Sequence, residues 1–186
     1  RLRHWLRPNT RSGSRKNIHA HYDLGNDFYR LWLDPTMTYS SALFEGDYSR
    51  SLADAQSAKY SRILRQLGVQ PGQHILEVGC GWGGFAEHAA RAGCRVTGIT
   101  ISEAQLEYAQ RRIAAAGLSD RVELKLQDYR DLDGQFDHVV SIEMFEAVGE
   151  RYWPGYFAML RDRLKPGGRA LVQTITIADA KFERYR

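Results

Sequence analysis

Cysteine is scarce: only Cys80 and Cys94 occur among the 186 residues. Two thiols make no disulfide framework and their spacing is not the CxxC of a metal site, so a reducing cytoplasm is the simpler compartment to infer. No three-ligand metal set is visible in the sequence, and no metal is predicted. Long apolar runs are also missing. The longest, such as 169–177, fall far short of the roughly 20 residues that span a bilayer, and no charged-apolar-small signal pattern opens the chain, which therefore reads as a soluble protein. Because residue 1 is Arg rather than Met, the chain is expected to be part of a longer protein. Internal repeats and low-complexity tracts are absent. With 43% apolar and 26% charged residues, 17 glycines and 5 prolines, the composition excludes disordered and collagen-like chains, and the length suggests one domain.

Acid is absent from residues 1–16, which carry Arg1, Arg3, Arg7, Arg11, Arg15 and Lys16. Six of the 26 basic residues thus lie in this stretch, and the other 20 stand against 22 acids, so the net charge of +4 is concentrated at one end. Residues 1–20 read as a basic arm whose partner is an anionic membrane surface. The arm lacks interleaved stacking aromatics and the chain has no Asn-Pro-Pro-aromatic motif, which argues against a nucleic-acid substrate.

Beyond the arm, residues 21–70 read as a helical N-terminal cap. Leu24, Phe28, Leu31 and Trp32 recur at helical spacing until Asp34-Pro35, where proline bars helix for its predecessor. His19 and His21 read as groups bonding near that helix start, with orientation of a substrate headgroup as the other reading, and Trp32 reads as core and Trp5 as surface, with lipid contact as the alternative for both. Residues 36–44 form an aromatic, hydroxyl-rich loop. Ser51 opens a second helix that stops at Gly68. From residue 71 to 186 the pattern alternates: strands at 74–78, 95–100, 121–126, 136–141 and 169–177, helices at 83–92, 103–116 and 151–164, the last closed by Lys165-Pro166-Gly167-Gly168. Repeated strand-helix units imply a parallel sheet with helices on both faces.

The first strand runs into glycines: Ile75-Leu76-Glu77-Val78-Gly79-Cys80-Gly81-Trp82-Gly83-Gly84. In doubly wound sheets such a turn lies where ligands bind, and glycine lets backbone approach ligand because no Cβ intervenes. The spacing is neither the GxGxxG of dinucleotide folds nor GxxxxGK[ST], so neither a Rossmann dehydrogenase nor a P-loop nucleotidase fits. Glu77 precedes the first glycine by two, close enough to face the same ligand, and the five-strand order with Asp128 after the third strand and a Pro-Gly-Gly turn before the fifth matches the S-adenosylmethionine methyltransferase pattern. Where many nucleotide folds place an acid for ribose hydroxyls, this chain has Gly98-Ile99-Thr100-Ile101-Ser102-Glu103-Ala104-Gln105. Thr100 and Gln105 are neutral candidates for that role and Glu103 is the competing one, with a first-turn helix position as its other reading.

Further segments carry a more specific likeness. His21-Tyr22-Asp23-Leu24-Gly25-Asn26-Asp27-Phe28-Tyr29, Leu33-Asp34-Pro35, Thr38-Tyr39-Ser40-Ser41-Ala42-Leu43-Phe44, Ser141-Ile142-Glu143-Met144-Phe145-Glu146 and Gln173-Thr174-Ile175-Thr176 resemble the cyclopropane fatty acid synthase and mycolic acid cyclopropane synthase family from about residue 19 onward. The resemblance implies a doubly wound, mostly parallel α/β sheet of the class I methyltransferase (Rossmann-like) type, with C-terminal strands missing from this chain. It also implies methyl transfer from S-adenosylmethionine to the double bond of an unsaturated acyl chain, usually in a phospholipid. A cyclopropane ring is the expected product; the alternatives are methyl-branched chains, amine methylation, or a catalytically silent S-adenosylmethionine- or lipid-binding module. The setting implied is cytoplasmic and peripheral to the membrane.

By position, the resemblance assigns cofactor contacts to Tyr39, Ser40, Glu77, Gly79, Gly81, Thr100, Ile101, Gln105, Asp128 and Tyr129. Tyr129 stands where the family often has Trp and keeps an aromatic face for adenine. The family's proton acceptor is a bound bicarbonate, whose implied holders here are Ser41, Ile142, Glu146 and Gln173. Ser41 replaces a common Cys and Gln173 a common His; both keep hydrogen-bonding capacity, although Gln cannot titrate. A further Tyr of that set would fall beyond residue 186. Glu146 is expected to anchor the chemistry, either as the base itself or as a holder of bicarbonate.

Overall fold

A computed structural model describes residues 25–185 of the chain. The basic arm, His19, His21 and Trp5 lie outside the described residues. Alternation in the strands, β1 (His74–Val78), β2 (Arg95–Thr100), β3 (Val122–Leu126), β4 (Phe136–Ile142) and β5 (Leu164–Gln173), yields one five-stranded sheet in the order β3-β2-β1-β4-β5. Every pairing is parallel. Because successive side chains of a strand point to opposite faces, Ile75, Val96 and Val140 join one buried cluster while Leu76, Val78, Ile99 and Val139 join the other. A parallel sheet covered on both faces needs this doubly apolar strand composition.

Six helices surround the sheet among the described residues: α1 (Gly25–Arg30), α2 (Leu52–Leu67), α3 (Gly84–Arg91), α4 (Glu103–Ala115), α5 (Trp153–Asp162) and α6 (Asp179–Tyr185). Helix α2 begins as expected. The Ser51 hydroxyl accepts from the Asp54 N–H at 3.1 Å, and Gly68 closes the helix in the left-handed region at φ 69°. Its face of Tyr60, Ile63 and Leu67 packs with Phe85 and Ala89 of α3 over Ile75 and Val96. Tyr156 and Leu160 of α5 cover the opposite face.

Several boundaries differ from expectation, the first helix among them, which ends at Arg30 short of Asp34-Pro35. Residues 165–168 do not close a helix; they bulge within β5, between the pairs Phe136↔Leu164 and His138↔Arg169, where Gly167 takes φ 80°. Strand β5 stops at Gln173 instead of 177, because β4 ends at its partner Ile142 and offers no further edge. Helix α5 starts at Trp153 rather than 151, after a 3-10 turn at Glu150–Tyr152, with proline in its first turn, where the missing N–H costs nothing. Trp32 is 49% exposed rather than core, packed edge-on against Phe28 and Tyr39.

Candidate active site

Strand order reverses at β1, whose neighbours β2 and β4 continue to opposite sides. Ligands of open α/β sheets bind beyond the carboxyl ends of the strands at such a point. A cleft of about 1140 Å³, including its open mouth, lies there. The glycine turn forms its floor. The N–H groups of Gly79 and Cys80 both donate to the Ile99 carbonyl, at 3.0 and 2.8 Å, which ties the turn to the end of β2. Gly79 has φ 85° with Met144 pressed against it, so that a Cβ would sit 2.7 Å from Met144 Cγ. Gly81 has φ 52°, and a Cβ there would meet no protein atom within 4 Å. Its space belongs to the cleft it lines.

All ten residues expected to contact a cofactor line this cleft: Tyr39, Ser40, Glu77, Gly79, Gly81, Thr100, Ile101, Gln105, Asp128 and Tyr129. Glu77 of β1 is 3% exposed, and its Oε2 has no hydrogen-bond partner. Burial pushes its carboxyl well above the ordinary range, against the opposing pull of Arg112 and Lys59. The Thr100 hydroxyl donates to Gln105 Oε1 at 3.0 Å, and both side chains are buried in the wall. Glu103 is exposed in the first turn of α4 and does not line the cleft, which leaves the neutral pair in the place where it competed. Asp128 is gripped by the Arg130 guanidinium, Nε to Oδ1 at 2.8 Å and Nη2 to Oδ2 at 2.6 Å. Tyr129 stands edge-on to Tyr156 beside that pair. The buried Cys80 thiol is pushed up by burial and stays protonated.

The N-terminal loop reaches the cleft through bonds that spacing does not reveal. Asn26 accepts from the Trp82 indole N–H at 2.7 Å and donates to the Ala104 carbonyl at 3.2 Å, which joins α1 to the glycine turn and to α4. From α2, Gln56 donates to the Ser40 carbonyl at 2.8 Å and Lys59 Nζ to the Ser40 hydroxyl at 2.5 Å. Burial lowers the Lys59 ammonium to about 8, with Glu143 and Glu77 opposing.

The four residues expected at the chemical end are placed differently from one another. Ile142 lines the cleft; Ser41, Gln173 and Glu146 stand outside its wall. Ser41 and Gln173 do meet, Gln173 Nε2 donating to Ser41 Oγ at 3.0 Å, but the carboxylate between them is Glu143. Its Oε1 accepts from Ser41 N at 2.9 Å, Ser41 Oγ at 2.6 Å and Gln173 Nε2 at 2.9 Å. Burial works to raise the Glu143 carboxyl, but these donors and the Lys59 charge outweigh it and hold the group below the ordinary range. Glu146 is exposed, and its Oε1 accepts from the Thr174 hydroxyl at 2.9 Å and from the Ile175 N–H. Glu143 was legible in the motif only as one of two acids; which one faces the cleft depends on the turn after β4.

A five-stranded parallel sheet with a glycine turn and cleft at the reversal point defines the class I methyltransferase fold. The chain belongs to the mycolic acid cyclopropane synthetase family, whose model matches residues 9–186. It is 47% identical over 191 aligned positions to the tuberculostearic acid methyltransferase UfaA1 of Mycobacterium tuberculosis, covering 94% of this chain and 45% of that protein. It is 46% identical over 156 positions to the cyclopropane-fatty-acyl-phospholipid synthase of Escherichia coli, covering 83% of this chain and 39% of that protein. Among solved structures, the mycolic acid cyclopropane synthase CmaA1 complexed with SAH and CTAB superposes with a TM-score of 0.85 at 38% identity, over 92% of this chain and 60% of that one. The chain thus spans less than half the length of these two curated relatives. Among the described residues, no group of three His, Cys, Asp or Glu side chains could hold a metal, and no helix is long and apolar enough to cross a membrane.

Proposed function

We propose that this chain carries the S-adenosylmethionine site of an enzyme that methylates the double bond of an unsaturated acyl chain in a phospholipid and yields a cyclopropane fatty acid. The observation that carries the reading is the single cleft wall formed by the ten cofactor candidates, continuous with Ile142 and Glu143 at the end of β4. The residues suit such a cofactor: Glu77 offers a buried oxygen without a partner, and Gly81 offers space that a Cβ would fill. When bound there, S-adenosylmethionine supplies an electrophilic methyl group on a sulfonium. Glu77 would hold the cationic amino group, Thr100 and Gln105 the ribose, and Asp128 with Tyr129 the adenine.

The rest of the chemistry falls to this chain's own groups. An alkene that gains a methyl group becomes a carbocation, so the site must exclude water and place negative charge nearby. Ser41, Ile142, Glu146 and Gln173 form the chemical end. Glu146 holds the segment after β5 through Thr174 and Ile175, and so sets where Gln173 reaches Ser41. Bicarbonate is the anion the family pattern implies for this end. The basic arm of residues 1–16 would dock the enzyme on an anionic membrane that presents the substrate, at the cytoplasmic face.

A methyl-branched product is the second reading, favoured by the likeness to a tuberculostearic acid methyltransferase across 94% of the chain. Mass spectrometry of lipids from cells that express the full-length protein tests both. A gain of about 14 mass units on unsaturated acyl chains is expected, and NMR of the product separates ring from branch. Unchanged lipids together with retained S-adenosylmethionine binding would instead identify a silent binding module.

A further inference from the structure

Two acids close the motif after β4, and only one of them belongs to the cleft. Glu143 lines it, whereas Glu146 is exposed and bonded to Thr174 and Ile175. Glu143 is also one of three non-glycine residues with positive φ among the described residues, at 49°. A left-handed conformation is unfavourable for a residue with a Cβ, so the surroundings must hold it there. They do so through its ends: its N–H donates to the Gln173 carbonyl at 2.8 Å, and its Oε1 collects the Ser41 N–H, the Ser41 hydroxyl and the Gln173 amide. Those three donors on one oxygen are the grip that a small bound oxyanion would receive. The other carboxylates of the wall are engaged elsewhere. Asp128 is clamped by Arg130, and Glu77 lies buried beside the glycine turn.

We propose that the Glu143 carboxylate occupies the anion seat of this site and is itself the proton acceptor, so that the enzyme needs no bound bicarbonate. This rests on the acyl methyl transfer proposed above. After the methyl group has been added, the substrate is a carbocation. For the ring, a C–H bond of the newly added methyl group breaks and its electron pair forms the C–C bond to the cationic carbon; for an alkene, a C–H bond on a carbon next to the cationic carbon breaks and its electron pair forms the C=C bond. The proton passes to Glu143, which becomes a neutral carboxylic acid, and then leaves to solvent. No oxidant or further reactant enters this balance. A carboxylate held in its ionised form is a weak base in water, yet it suffices here because a carbocation is a very strong acid.

The test uses the full-length protein and Glu143→Gly. Glycine is at ease at φ 49°, so this variant sheds the backbone strain and leaves the Ser41 and Gln173 donors without their carboxylate. In bicarbonate-depleted buffer the parent is expected to keep its rate, and Glu143→Gly to lose roughly a hundredfold or more, the scale of a general base. Added bicarbonate or formate should restore at least about a tenth of that loss in Glu143→Gly and leave the parent unchanged, a rescue that a merely structural role would not give. A parent rate that collapses on bicarbonate depletion, or a Glu143→Gly rate equal to the parent's in that buffer, overturns the proposal. Carbon-13 NMR titration with labelled bicarbonate is the second measurement. Binding by Glu143→Gly alone supports the occupied seat, and equal binding by the parent overturns it. Should the parent methylate no acyl chain at all, the methyl-transfer reading and the proton-acceptor role fall together, while this titration still decides what fills the seat.

Discussion

Replacing Gly81 by alanine separates cofactor binding from folding, because its missing Cβ faces no protein atom within 4 Å. At φ 52° an added Cβ costs about 1–2 kcal/mol from the left-handed backbone alone. Gly117, just past α4, is the matched control: φ 68°, nothing within 4 Å of its Cβ position, and no part in the cleft. For a chain of this size about 1 kcal/mol moves Tm by roughly 2–4 °C, so Gly81→Ala and Gly117→Ala should both lower Tm by about 2–8 °C. Only Gly81→Ala puts a methyl group into the ligand's space. Calorimetric titration with S-adenosylmethionine should then show at least about a tenfold loss of affinity in Gly81→Ala, some 1.4 kcal/mol, and parent-like affinity in Gly117→Ala. Gly79→Ala would not make this separation, since its Cβ strikes Met144 at 2.7 Å and disturbs the turn itself. Equal affinities in Gly81→Ala and Gly117→Ala would refute the placement of the cofactor on the glycine turn.

Glu77→Gln should stabilise the ligand-free protein increasingly as pH rises. The parent's carboxyl binds its proton more tightly folded than unfolded, so its contribution is fully present below pH 4.5 and is lost as pH climbs toward the raised folded value. Thermal unfolding at pH 5 and pH 8 should show the larger Tm gain at pH 8, and calorimetry should show weaker S-adenosylmethionine binding; a Tm gain that shrinks with pH would contradict the sign. Glu146→Gln should leave cofactor affinity unchanged while turnover falls by as much as about a hundredfold, the scale on which a misplacement of about 1 Å costs a reaction. The readout is the split between titrated affinity and kcat, and unaltered kcat would remove Glu146 from the chemical end.

Strand and helix identity was legible wherever a local cause sufficed. The β1 and β2 bounds, the Ser51 cap and the Gly68 stop follow from alternation, a side-chain acceptor and a left-handed glycine, all of which are contained within a few residues of chain. The same holds for the glycine turn, whereas the ten wall residues were assigned by likeness to the family, Tyr39 and Ser40 among them from a loop far before β1. What distance in sequence concealed was decided by packing. Lys165 to Gly168 looked like a turn and became a bulge because Leu164 had already paired with Phe136, and β5 ended at Gln173 because β4 offered no further edge. Trp32 carried the look of a core residue but is half exposed, packed against the rings of Phe28, Tyr29 and Tyr39. The acids 143 and 146 are alike in composition and three positions apart. Only the left-handed turn at Glu143, held by Ser41 from 102 residues upstream and by Gln173 from 30 residues downstream, directs one of them into the cleft wall and leaves the other at the surface. Local chemistry sets which groups are available; the long-range hydrogen bonds that form once the sheet closes decide which of them lines the cleft.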